Sequence, residues 1–276
     1  VILMIGDGMG PAYTTAYRYI ADDPETPEME QTIFDQHLVG MAATYSDDRI
    51  ENITDSAAAA TAMATGVRTY NGAISVDTSQ NPLQTVLEFA KEKGKSTGIV
   101  TTSQINHATP AAFASHNRSR QDYNSIADAY FDELINDDHK IDVMLGGGTD
   151  YFIRKDRNLV EEFQASGYDY VSSREELLTS DHERILGLFA PVGLPIAIDR
   201  DETIPSLAEM TEIALEQLNK NNEGFFLMVE GSQIDWAGHA NDAVSAMSEV
   251  EDFAQAVEVA ITFAEEHGNT QVVITA

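Results

Sequence analysis

VILMIGDGMGP, residues 1–11, runs five apolar residues together and then breaks into alternating glycines and a proline. An uninterrupted apolar run of this length, closed by glycine, reads as a strand buried on both faces, and such strands belong to parallel sheets. The pattern recurs in STGIVTT (96–102), DVMLGGG (142–148), GFFLMVE (224–230) and TQVVITA (270–276). Between these runs the apolar residues switch to helical spacing. Leu83, Val86, Leu87 and Ala90 share one face; Ile126, Ala127, Tyr130, Phe131 and Leu134 a second; Val244, Met247, Val250, Ala254, Val257 and Ile261 a third. Strands alternating with helices give an α/β class with a mostly parallel central sheet. The expected organisation is one domain over 1–276, with a peripheral insertion of weaker periodicity from Asp150 to Pro205.

The 276 residues carry 46 Asp and Glu against 16 Lys and Arg, a formal net charge of -30. A nucleic-acid partner is disfavoured, because a polyanion is repelled at long range. The carboxylates are spread, as in DDPETPEMEQ (22–31), FDELINDD (131–138) and DRDE (199–202), which reads as a salt-adapted surface that screening relieves of self-repulsion. No apolar run approaches the ~20 residues of a membrane span. Cysteine is absent, which excludes disulfides and thiolate chemistry.

In open α/β sheets ligands bind beyond the carboxyl ends of the strands. The first strand ends at Gly6-Asp7-Gly8-Met9-Gly10-Pro11. Its GxGxG spacing is a poor match to a dinucleotide loop, and Pro11 lacks an amide a phosphate cradle would use. Asp7 therefore reads either as a helix cap or as a ligand for a divalent cation. Glu230 closes GFFLMVE, and Asp235 and His239 follow four residues apart, as an ordinary ion pair or as ligands of one ion of zinc type. Gly231 and Gly238 flank them and suggest a shaped loop rather than a helix. TDSAAAATAMATG (54–66) starts an alanine-rich helix near Ser56, with Asp55 as a cap and small side chains leaving the helix start open. In INHATPAAFASHNRSR (105–120), Thr109-Pro110 reads as N-cap and first residue of a short helix. Arg120 beyond it is a candidate oxyanion or phosphate clamp, or a surface partner of Asp122. Together these pieces outline phosphoryl transfer: Ser56 as nucleophile at a helix N-terminus, carboxylates and a histidine for divalent metal, and Arg120 for an anionic substrate.

IGDGMG (5–10), TDSAAAATAMATG (54–66), RTYNGAI (68–74), NHATPAAFASH (106–116), LGGG (145–148) and EGSQIDWAGH (230–239) closely resemble the alkaline phosphatase family, in order and over nearly the whole chain. The resemblance implies a three-layer sandwich, two zinc ions and one magnesium, and a covalent phosphoserine on Ser56 with Arg120 holding the phosphate. It further implies that Asp7 bridges a zinc and the magnesium, that Thr109 and Glu230 complete the protein's magnesium ligands, and that Asp235 and His239 bind the other zinc. Asp55, His107 and Trp236 would lie beside the ligands. His107 and Trp236 stand where some members carry Asp and Lys, a departure expected to alter magnesium affinity and pH behaviour. Phosphate monoesters as substrates, a homodimer, and a periplasmic or extracellular location are likewise implied. Family members continue after the equivalent of VVITA (272–276) with an Asp-His pair of zinc ligands, so the expectation is that these residues are a fragment of a longer protein. A related phosphodiesterase or sulfatase, and a metal- or phosphate-binding protein without catalysis, are the alternatives.

Overall fold

The computed structural model describes every residue except Asn52. Seven strands form one wholly parallel sheet: β1 (Ile2–Gly6), β2 (Ser96–Gln104), β3 (Val143–Gly147), β4 (Asp169–Val171), β5 (Ile185–Leu188), β6 (Phe225–Gly231) and β7 (Val272–Thr275). Their order is β4-β5-β3-β2-β6-β1-β7. All five apolar runs thus become strands. The segment 150–205 supplies β4 and β5, which extend the sheet at one edge.

The double-sided burial expected of a parallel sheet is visible residue by residue. Ile2, Met4, Val100, Leu227 and Val229 join one apolar cluster, whereas Ile5, Ile99, Phe226 and Met228 join the other. Helices cover both faces, making three layers. Six are needed below: α1 (Pro11–Ala21), α2 (Ser56–Thr65), α3 (Val86–Glu92), α4 (Ala108–Ala114), α5 (Tyr123–Asp132) and α6 (Gln233–His239). The helices Leu207–Leu218 and Ala243–His267 pack with α1 on the first cluster, and α2 to α5 on the second.

Two of the three apolar stripes outrun their helices, and the third has an exposed member in its first turn. Leu83 precedes the capping box of Thr85 and Glu88 that starts α3, and Leu134 follows the end of α5 and is half exposed. Val244 sits in the first turn of its helix and is exposed, while Val250, Ala254 and Val257 are buried. Helical spacing continues past the cap in sequence, but the face it defines ends where the helix does.

Candidate active site

The tips of β1, β2 and β6 lie side by side, with Ile5 opposite Glu230 and Glu230 opposite Thr101. Asp7 leaves the tip of β1, 9% exposed. The neighbouring Gly8 has φ +66°, and a Cβ there would lie 2.8 Å from Asp235 Oδ1. Glycine is thus required by both conformation and space, and it lets Asp235 close over the β1 turn. Asp235 and His239 sit on α6, a helix where the flanking glycines suggested a loop. Gly238 is tolerated inside it because a Cβ there would lie 2.2 Å from Tyr13 Oη. His239 Nε2 stands 3.4 Å from Asp235 Oδ2, with its side chain 80% exposed.

Ser56 is the first residue of α2. Asp55 caps the helix by accepting from the Ala58 amide at 2.9 Å, so the capping role of the pair falls to Asp55 and not to the Ser56 hydroxyl. The Ser56 hydroxyl stands 3.2 Å from each Asp7 carboxylate oxygen. Asp55 Oδ2 also accepts from Arg120 Nη1 at 3.0 Å, so Arg120 pairs with the residue beside Ser56 rather than with Asp122. The other arm of the fork, Nη2, lies 3.2 Å from His107 Nε2. Burial, then the Arg120 charge, hold the His107 imidazole down to about 3. It is neutral, accepts through Nε2 and carries its proton on Nδ1. His107, not Thr109, is the N-cap residue of α4; Thr109 and Pro110 occupy its first turn, where a missing amide proton costs little.

Three carboxylates converge here. Burial raises Asp7 well above the ordinary range, and Glu230 and Asp235 push it further. Burial raises Glu230 to about 7, against the opposing pull of the Thr101 hydroxyl. Burial raises Asp235 too, against His239 and Arg120. Glu230 accepts from Thr101 Oγ1 at 2.6 Å on Oε2. Its Oε1, with Thr109 Oγ1 and Ser232 Oγ, is buried with no hydrogen-bond partner among the described residues. Buried oxygens rarely go unpartnered, and three acids sharing a dry site repel one another. This donor set, all oxygen apart from His239, fits hard or borderline divalent cations such as magnesium and zinc.

The alkaline phosphatase family model matches residues 1–276. The chain belongs to the alkaline phosphatase family. Alkaline phosphatase 3 of Bacillus subtilis (strain 168) is 60% identical over 276 residues, covering 100% of this chain and 60% of its own length. Alkaline phosphatase 4 of the same organism is 56% identical, again over 100% of this chain and 60% of its own. The cold-active alkaline phosphatase of the psychrophile Shewanella sp. superposes with a TM-score of 0.92 at 48% identity, covering 99% of this chain and 66% of that one. A variant of TAB5 alkaline phosphatase with Mg bound in its M3 site superposes at 0.83 and 31% identity, covering 99% of this chain and 76% of that one. The chain spans about 60% of the length of the two Bacillus relatives.

Within this alkaline phosphatase fold, two groups at the site escaped the sequence reading. The Thr101 and Ser103 hydroxyls face Glu230 Oε2, at 2.6 and 3.5 Å. Their signal was TTSQ (101–104), a polar end on an otherwise apolar buried strand. The second group is the loop at 190–196, which touches Trp236 and carries no chemical signal. A cavity of about 460 Å³ lined by Lys91, Lys95, Asp142, Arg184 and Gln217 lies at the opposite end of the strands.

Proposed function

We propose that the protein is the core of an alkaline phosphatase that hydrolyses phosphate monoesters through a phosphoserine on Ser56. The observation that carries this reading is the Ser56 hydroxyl, set at a helix start against Asp7 and beside the Asp55-anchored Arg120. The helix N-terminus and the Arg120 fork favour a dianionic phosphoryl group in front of Oγ. Ser56 Oγ attacks phosphorus, its proton passes toward Asp7, and the alcohol leaves with a proton from solvent. Water then attacks the phosphoserine, and Ser56 regains its proton as inorganic phosphate departs. Arg120 holds two non-bridging oxygens throughout, and Asp55 and His107 fix its plane.

Asp7, Thr109 and Glu230 would hold magnesium, Asp235 and His239 one zinc, and Asp7 would also serve the second zinc. When bound, these ions would supply the positive charge that favours the serine alkoxide and offsets charge on the phosphoryl oxygens. Magnesium in the TAB5 variant supports one of them. Relatives in the family support the monoesterase reading over a phosphodiesterase or sulfatase. A homodimer outside the cytoplasm and a surface suited to high salt complete the reading; no helix among the described residues is long and apolar enough to cross a membrane.

The test is hydrolysis of p-nitrophenyl phosphate by the full-length protein supplied with zinc and magnesium. Ser56→Ala is expected to abolish turnover and trapping of covalent phosphate. Equal rates for the two proteins sink the reading, and phosphate binding without turnover replaces it with a binding function.

A further inference from the structure

The loop at 190–196 crosses the tips of β2 and β3 and is tied down at several points. Leu194 N–H donates to Thr102 O at 2.9 Å, Gly148 N–H donates to Ala190 O at 2.8 Å, and Gln233 Nε2 donates to Leu194 O at 2.6 Å. It has no slack against the sheet, since a Cβ on Gly147 would lie 1.7 Å from Val192 O. On its outer side it meets α6. A Cβ on Gly193 would lie 2.6 Å from Trp236 Cζ3, 2.9 Å from Trp236 Cη2 and 2.9 Å from Gln233 Nε2. These separations are far inside van der Waals contact.

Trp236 also meets His107 edge-on, ring centroids 5.4 Å apart at 78°. His107 in turn touches Arg120 Nη2. Arg120 Nε is buried with no hydrogen-bond partner among the described residues, so Asp55 and His107 alone fix the plane of its fork. Pairwise contacts thus link Gly193, Trp236, His107 and Arg120 in turn. Contacts this close pass displacement on to the next side chain.

We propose that Gly193 is a positioning residue for Arg120: its missing side chain leaves the space in which the Trp236 indole seats, and the indole holds His107 against the guanidinium. The inference rests on Arg120 being the phosphate clamp. Gly193→Ala pushes the indole toward His107 and turns the fork away from phosphate, while Ser56 and Asp7 stay where they are.

The experiment titrates inorganic phosphate calorimetrically into the full-length protein with zinc and magnesium supplied, and follows emission from Trp236, the one tryptophan in the 276 residues. Gly193→Ala is expected to weaken phosphate by about tenfold or more and to shift the emission, since small misplacements of a clamp are costly. The thermal midpoint should stay within about 3 °C, the effect of under 1 kcal/mol. Adding Trp236→Phe, whose ring stops short of the clash, should bring affinity back to within about threefold of Trp236→Phe alone. In an Arg120→Ala background Gly193→Ala should change affinity by less than about twofold, because the chain of contacts then ends on nothing. The proposal is overturned by unchanged affinity in Gly193→Ala, by an equal loss in the Arg120→Ala background, or by no phosphate binding in the unsubstituted protein. Ser56-dependent hydrolysis with an unaffected Gly193→Ala defeats this proposal alone; the expected phosphate pattern without Ser56-dependent hydrolysis defeats the hydrolase reading alone.

Discussion

The two ends of the sheet both gather buried acids, and they balance them differently. Around the starts of β2 and β3, Lys140 Nζ lies 2.9 Å from Glu88 Oε1 and 2.5 Å from Glu133 Oε2, and Lys91 Nζ lies 2.7 Å from Asp142 and 3.1 Å from Asp138. Arg184 adds 2.6 Å to Asp138. Burial alone would raise Glu133, but His116 and Lys140 overcome it and hold that carboxyl down to about 2. At the strand tips no Lys or Arg among the described residues forms an ion pair with Asp7, Glu230 or Asp235; the Arg120 charge only partly offsets Asp7 and Asp235, and all three are pushed up. A built-in cation makes an acid cluster structural; a missing one leaves it ready for an ion from solution. Glu88, His116 and Glu133 do bring ligand atoms within 4.8 Å of one another, but Lys140 already fills the role a metal would take.

The sharpest separation of the two ends is chemical. Ser56→Ala should lower phosphomonoester turnover by about 10⁴-fold or more, as loss of a nucleophile does, with zinc and magnesium still bound. Metal analysis alongside steady-state rates checks it, and bound metal lost together with activity would break the assignment.

Next in size is Lys140→Met. It strands Glu88 and Glu133 without their ammonium and should cost about 3–5 kcal/mol in urea unfolding at neutral pH. Zinc should then recover part of the loss by entering the vacated Glu88, His116 and Glu133 site. A variant as stable as the parent would show that the two ends do not differ as described.

A third test is pH without metal. The Glu230 carboxyl is raised in the fold to about 7 from 4.5, so its protonated form suits the fold. Its stabilisation is complete below pH 4.5 and is lost as pH rises through about 7. Glu249, buried against Ala197 and Arg200 and also raised to about 7, adds the same trend. At pH 8 Glu230→Gln should stabilise the metal-free protein by on the order of 2–3 kcal/mol. Magnesium should stabilise the parent and hardly affect the variant. Equal magnesium responses would remove Glu230 from the ligand set.

The smallest expected effect is Thr101→Val, which deletes the 2.6 Å donor to Glu230. It should cost about 1 kcal/mol and move the magnesium midpoint only slightly. A cost as large as that of Lys140→Met would mean that the tip cluster relies on hydroxyls much as the other end relies on ammonium.

Strands were legible because burial on both faces writes an unbroken apolar run, as in VILMI and FFLMV, that hardly depends on what lies opposite. Helix limits were less so. Thr109-Pro110 looked like a start, yet the chain turns two residues earlier at His107, since a first-turn proline fits more than one position. The helix through Asp235 and His239 was obscured by Gly238, whose cost in a helix is outweighed by the room it leaves for Tyr13.

From the order of residues alone came the parallel sheet, the strand-end placement of Asp7 and Glu230, and the helix start at Ser56, because each depends on short-range periodicity, capping and backbone sterics. Only the folded chain could decide that Ser56 meets Asp7, 49 residues away, and that Arg120 pairs with Asp55, 65 residues away. It also decided which acid cluster is ion-paired to its own lysines and which is not. Local rules act within a turn or a strand, whereas charge balance in a buried site is settled by whichever distant side chains the packing brings there.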